Sequence, residues 1–351
     1  MTRNGRATLS DVARLAGVSA STASLTFSGS GPVSLATRER VLAAAAELGY
    51  SGPDPLARSL RRGESGVVGV ITNELASSFR DPVALRTLDG LADALGAHDL
   101  GMLLIRATDE GEGADLIRRA AMDAAVFLRP LGPHEGVVEL LRGRGIAVVL
   151  LESIAEGAAS VKIADADGMA ELAARVRDLG HTRVAVVSLP WAPGVPPGLR
   201  EDTEPDPDSF PFTLARLTGI RSAGVVPTQI YVSAGSLVEE GFEAAKVLLA
   251  QPERPTAIMA CSDLLAAGVL LAARELGLAV PGDLSITGFD GVDLPWLAPD
   301  VIDSVEQPAS RKGQLGGEAA VAMMAGGEPT SIELEVWQRP GTTLGPVPQE
   351  V

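Results

Sequence analysis

Eight short apolar runs beyond residue 66 constrain this chain more than any other feature. VVGVITN, GMLLIRA, AAVFLRP and IAVVLLES form one series; RVAVVSL, QIYVSA, TAIMACS and LSITGFD form another. Most of these runs are apolar at consecutive positions, so both faces of the corresponding strands are expected to be covered, and the stretches between them have helical spacing. Runs of this kind predict parallel sheets buried between helices, here as two doubly wound lobes. Open parallel sheets bind ligands beyond the carboxyl ends of their strands, which places a ligand cleft between the lobes.

The charge is divided along the chain. Residues 1–62 hold eight arginines against four acids, a net +4, so the rest carries −20 of the overall −16. A cationic end and an acidic body favour one docking orientation on a polyanion. The N-terminus MTRNGRATLSDVARLAGVS lacks the apolar segment of a signal peptide, and no run approaches the ~18 apolar residues of a membrane span, so no membrane association and a cytoplasmic location are expected. Cys261 is the single cysteine, which excludes an intrachain disulfide and reads as a small buried hydrophobe at a strand end.

Within the cationic end, Thr8-Leu9-Ser10-Asp11 reads as a capping box opening a helix to about Ala16. Leu9, Val12, Ala13 and Ala16 share one face of it. Gly17 gives the backbone freedom for a tight turn, and Ser19 caps a second helix. A third begins at Ser34, with Val41, Leu42, Ala45 and Leu48 facing inward and Gly49 ending it. Three short helices alone are compatible with a plain structural bundle.

The residues themselves go further. LSDVARLAGVSASTAS, then VSLATRERVLAAAAELGY and ARSLRRG, closely resemble the headpiece of the lactose and galactose repressor family, the LacI family, from Thr8 to Gly63. The resemblance implies a helix-turn-helix whose second helix enters the major groove, with Ala20 and Ser21 at base-reading positions. Leu25 stands where the family commonly has an arginine. Leucine cannot donate a hydrogen bond, so readout is expected to rest on small contacts, thymine methyls and DNA shape. Ser19, Thr22, Ser34, Thr37, Arg38 and Tyr50 match positions that contact the DNA backbone in the family.

After Tyr50 the run SGPDP gives Asp54 as a cap and Pro55 as a first helical residue for about two turns, too short to be stable alone. By resemblance this hinge pairs with its copy in a second subunit in the minor groove. Leu60 would wedge between base steps there, with Arg58 and Arg61 near phosphate. A flexible tether is the alternative. Pairing implies a homodimer on a near-palindromic operator, and the tail GTTLGPVPQEV has no leucine heptad to raise the order further.

GHTRVAVVS, PTAIMACSDLLAAGVLLAARELGLAVPGDLSITGFDG and VEQP extend the resemblance to the family's periplasmic-binding-protein-like core over residues 66–343. The expected division is a headpiece over 1–50, a hinge over 51–65, the core, and a tail over 344–351. In the core, one lobe would comprise about 66–164 and 291–323, the other about 165–290 and 324–343. Crossings between the lobes are thus expected near Asp165, Asp290 and Met324. Effector-site candidates are Arg216, for a hydroxyl or carboxylate, and Asp290, for hydroxyls. Ser262 and Asp263, Ser77 and Phe79, and Trp191 and Trp296 as stacking surfaces complete the set. Asp263 has helix capping as its alternative role, and the tryptophans have core packing. Ala164 and Gly291 replace acids common in the family, which weakens the case for an ordinary sugar over another polar metabolite. The proline-rich segment 190–211 is expected to be a disordered loop or else a lid.

These features predict a transcription regulator, in character a repressor, whose operator affinity answers to a small molecule, with no cofactor and no metal. A solute sensor confined to the cleft is the second class. An enzyme is the third, disfavoured because GxSxG and GxxxxGK[ST] are absent and His98, His134 and His181 are scattered.

Overall fold

The protein is described by a computed structural model covering residues 7–29, 31–52, 63–72, 75–106, 112–128, 135–200, 203–204 and 207–348. It divides into two compact units, Met1–Gly66 and Val67–Val351.

The first unit holds α1 (Leu9–Ala16), α2 (Ala20–Ser28) and α3 (Leu35–Glu47). The capping box forms as its residues dictate: the Asp11 amide donates to Thr8 Oγ1 and the Thr8 amide to the Asp11 carboxylate. Gly17 turns the chain at φ 65°. The core is built from Val12, Ala13, Ala16, Ala23, Val41, Ala44 and Ala45. Small side chains let three short helices approach closely enough to exclude water. Leu42 and Leu48, expected inside, are 47% and 37% exposed; the inward stripe of α3 falls on Ala44 instead. The hinge, with Arg58, Leu60 and Arg61, lies outside the described residues.

The second unit is a pair of α/β lobes. In the first, six parallel strands run in the order β12 (Ser331–Leu334), β5 (Ala159–Ile163), β4 (Ala147–Leu151), β3 (Ala124–Phe127), β1 (Val67–Thr72), β2 (Gly101–Arg106). Alternation along the strands fills two cores. Ala124, Val126, Val149 and Leu151 meet α5 (Pro82–Gly96) and α12 (Ala309–Met324) on one face. Ala125, Phe127, Val148 and Leu150 meet α6 (Glu112–Arg119) and α7 (Glu135–Gly143) on the other. The run GMLLIRA does not become a doubly covered strand: β2 is at the edge, with Met102, Leu103 and Leu104 each about two-fifths exposed.

The second lobe orders its strands β10 (Ser285–Thr287), β9 (Ala257–Ala260), β6 (Val184–Ser188), β8 (Gln229–Val232), β7 (Gly198–Arg200). All are parallel except β7, which runs antiparallel to β8. Around them lie α8 (Asp165–Asp178), α9 (Pro211–Ser222), α10 (Val238–Leu249) and α11 (Asp263–Glu275). The proline-rich segment is therefore not a disordered loop throughout: it supplies β7, an edge position where proline-rich flanks remove no ladder bond from a neighbour.

The chain passes from the first lobe to the second between β5 and α8. It does not return near Asp290. Residues 291–303 fold Leu297 and Ile302 into the second lobe's core, and β11 (Ser304–Glu306) adds Val305, so the return falls at Gln307-Pro308. Nor does it cross near Met324, because β12 extends the first lobe's sheet beyond α12. The last crossing precedes β13 (Trp337–Arg339), which pairs with β11. Residues 344–348 of the expected tail are part of the second lobe: Gly345 O accepts from the buried His181 Nε2 at 3.0 Å, and the Val347 amide donates to Leu179 O.

Candidate functional site

Strand ends of both lobes, together with the crossing at Gln307, line a cavity of about 100 Å³ that opens to solvent. That is several times the roughly 10–15 Å³ that one buried water occupies, so a small polar molecule fits. The first lobe contributes Ser78, Asp81, Thr87, Glu152 and Lys312; the second contributes Phe212, Arg216, Ser236, Ser262 and Asp290.

Arg216 is the centre of it. It lies on α9, is only 5% exposed, and has its guanidinium carbon 3.8 Å from the Phe289 ring centroid. Its Nε donates to Asp165 Oδ1 at 2.7 Å and one terminal nitrogen donates to Cys261 O at 2.5 Å, with Asp290 Oδ1 3.7 Å from that nitrogen. Burial alone would favour loss of the Arg216 proton, but Asp165 and Asp290 outweigh it and keep the guanidinium charged. Burial pushes Asp165 up to about 6 against the pull of Arg216. It raises Asp290 well above the usual carboxylate range, again against Arg216. Asp290 Oδ1 also accepts from Gln307 Nε2 at 2.6 Å. Gln307 Oε1 accepts from Lys312 Nζ at 2.9 Å, and Lys312 is ion-paired to Glu152. One unbroken polar chain therefore runs from Asp165 in one lobe to Glu152 in the other.

Of the effector candidates, the structure brings Arg216, Asp290 and Ser262 together at the cavity. Ser262 caps α11 through the Leu265 amide and accepts from Ser236 Oγ at 2.9 Å. Asp263 does not face it. Its carboxylate accepts from Ser304 Oγ and the Val292 amide, both at 2.6 Å, so it neither caps its helix nor lines the cleft but ties down the loop after Asp290. Burial pushes Asp263 up to about 7. Trp191 is buried, its Nε1 donating to Ser188 Oγ at 3.0 Å, and packs in the second lobe's core. Trp296 and Phe79 are each about half exposed and stand outside the cavity lining. Ser77 lies in the single-turn helix α4 (Leu75–Ser78), and its side chain is outside what is described. Cys261 is fully buried, its thiol pushed up to about 12 by burial, as a small hydrophobe would be.

Sequence reasoning missed Asp81, Glu152, Gln307 and Lys312. Lys312 left a trace: Ala309, Lys312, Gly313, Gly316, Ala319 and Ala320 form one buried helical stripe, and a lysine on such a stripe needs an internal partner.

In the first unit the candidates for DNA contact are held by local bonds, with Ser19 and Ser34 exposed and Thr22 and Thr37 half-buried. Ser19 caps α2, its Oγ accepting from the Thr22 amide at 3.0 Å and lying 2.8 Å from Thr22 Oγ1. Ser34 caps α3 and donates to Thr37 Oγ1 at 2.9 Å. Ala20, Ser21 and Arg38 are exposed. Leu25 is half-buried and packs against Gly31, where an added Cβ would lie 2.9 Å from Leu25 Cδ2. Tyr50 packs edge-on against Phe27, ring centroids 5.4 Å apart, so its ring also serves the helical core.

Two family patterns match the chain. Residues 8–52 match bacterial regulatory proteins of the lacI family, and residues 173–342 match a periplasmic binding protein-like domain. An HTH-type transcriptional regulator of Mycolicibacterium smegmatis is 32% identical, covering 97% of each chain. The HTH-type transcriptional repressor CytR of Escherichia coli K12 is 28% identical over 91% of this chain and 89% of its own. Among solved structures, a lac repressor dimer bound to operator and an anti-inducer superposes with a TM-score of 0.79 over 97% of this chain and 99% of its own; at 21% identity it supports the fold. Among the described residues, no helix is long and apolar enough to cross a membrane.

Proposed function

The chain belongs to the lacI family of bacterial regulatory proteins, and from that premise we propose that it is a repressor whose homodimer binds a near-palindromic operator under control of a small polar effector. It is a DNA-binding transcriptional regulator and not an enzyme. On this reading Ala20 and Ser21 approach base edges. Ser19, Thr22, Ser34, Thr37 and Arg38 position the phosphates at the starts of α2 and α3, where free amides and helix dipoles favour anions. Leu25 supports the loop after α2, and Tyr50 packs against Phe27 of α2. The hinge enters the minor groove, Leu60 wedging between base steps while Arg58 and Arg61 stay near phosphate.

The effector occupies the cavity around Arg216, Asp290 and Ser262. The observation that carries this reading is the buried Arg216–Asp290 pair at the cavity wall, because charged groups kept out of water need specific partners and offer directed hydrogen bonds to a ligand. The lining mixes donors and acceptors and pairs its charges internally. That suits an uncharged, hydroxyl-rich molecule such as a small sugar or polyol better than an ion.

Binding-site selection from genomic DNA tests the function. The purified protein should enrich one near-palindromic sequence, with Leu60→Ala reducing specific affinity far more than nonspecific affinity. Absence of any sequence preference would contradict the regulator reading, and equal losses for Leu60→Ala would contradict the wedge.

A further inference from the structure

Lys312 is 5% exposed, and its ammonium joins a first-lobe carboxylate to the residue at the crossing between the lobes. On one side it pairs with Glu152, at the end of β4; on the other it donates to Gln307, the residue at which the chain crosses between lobes. Gln307 passes the link to Asp290 and Arg216. Both carboxylates on this path have left-handed backbones: Glu152 at φ 63° and Asp290 at φ 113°. Among the described residues only Asp99 shares that property with them outside glycine. Such strain persists where surrounding contacts over-determine the geometry.

The helix carrying Lys312 is locked to its neighbour. A methyl group at Gly313 would collide with the Thr87 carbonyl of α5, and one at Gly90 of α5 with the Ser310 carbonyl of α12. The two backbones touch with no side chain between them, so α5 and α12 are packed as closely as their backbones allow. The start of α5 also lines the cavity through its cap Asp81, whose Oδ1 accepts from the Val83 amide at 2.9 Å.

We propose that Lys312 is the positioning residue of the cleft: by joining Glu152 to Gln307 it fixes the lobe arrangement, and the locked α5–α12 pair carries any change in that arrangement through the first lobe. This rests on the effector reading above for its purpose, but the bridge can be tested without knowing the effector. An effector that hydrogen-bonds Asp290 or Lys312 competes for the same atoms, and so makes the arrangement depend on occupancy.

The test uses the full-length chain with spin labels on Glu139→Cys in α7 and Glu253→Cys after α10. Both sites are exposed, and the native Cys261 is too buried to label. Lys312→Met keeps the side chain's length, and pairing it with Glu152→Gln removes the carboxylate that would otherwise be stranded. Circular dichroism and thermal melting establish that this double variant folds. The double variant should show a displaced or broadened interlobe distance distribution and at least a fivefold change in affinity for the selected DNA, with Lys312→Arg restoring both. A folded double variant with the wild-type distribution would overturn the proposal. So would displaced lobes with unchanged DNA affinity, or Lys312→Arg behaving like Lys312→Met. Failure of the wild type to select any DNA would contradict the regulator reading, while the distance measurement would still decide the bridge.

Discussion

The headpiece and the core place their polar groups in opposite ways. In the headpiece, Ser19, Thr22, Ser34 and Thr37 bond to partners three residues away and stay near solvent. In the core, Arg216 reaches back 51 residues to Asp165, and Lys312 reaches 160 to Glu152, both in a buried site. Local exposed pairs can exchange partners with DNA at little cost, since water already competes for them. Long-range buried pairs exchange only when a ligand supplies equivalent bonds.

The largest effect expected from that contrast is Arg216→Ala. It strands Asp165 and Asp290 without their cation, and should lower the core's unfolding free energy by about 3–5 kcal/mol in urea titrations. Ser19→Ala removes only a cap and should lose about 1 kcal/mol of helix stability, together with a several-fold weakening of DNA binding and no change in the core's transition. Comparable losses from the two substitutions would break the comparison.

Acidity separates the halves by sign. Asp165, Asp263 and Asp290 have raised pKa values in the folded core, about 6 for the first and about 7 for the second. A raised acid contributes stability below its unfolded value that is lost as pH rises through its folded value. The core should therefore melt higher at pH 6.5 than at pH 8, with Asp263→Asn flattening the slope. Below pH 6.5, His181, held neutral by burial, opposes the trend. Asp11 in the headpiece is shifted the other way, by its hydrogen bonds from Thr8, so its contribution is present above pH 4 and is lost on further acidification. NMR titration of the Asp11 carboxyl checks this. Trp296→Ala should change least: at a half-exposed side chain outside the cavity, stability stays within about 0.5 kcal/mol and ligand-induced thermal shifts are unaltered.

The same contrast decides what could be read from sequence. Thr8, Asp11, Gly17 and Ser19 act on residues within a turn of themselves, so the headpiece helices follow from short spacings. In the core, strong apolar runs marked β1, β3, β4, β6 and β9, but β5, β11 and β12 are short and mixed in polarity and only become strands beside partners distant in sequence. Missing them moved two of the lobe crossings. Arg216 and Asp290 were found through resemblance. Glu152, Gln307 and Lys312 were not, because nothing near Lys312 in sequence reveals that its ammonium meets Glu152.

If the cleft and the DNA site are linked, the coupling between them is reciprocal. The first metabolite to raise the core's melting temperature in a thermal-shift screen should be titrated against the selected operator complex, and the operator against the metabolite complex. Each should change the other's affinity by the same factor, of about fivefold or more. Two affinities that are independent of one another, for a metabolite whose binding is abolished by Asp290→Asn, would contradict the linkage.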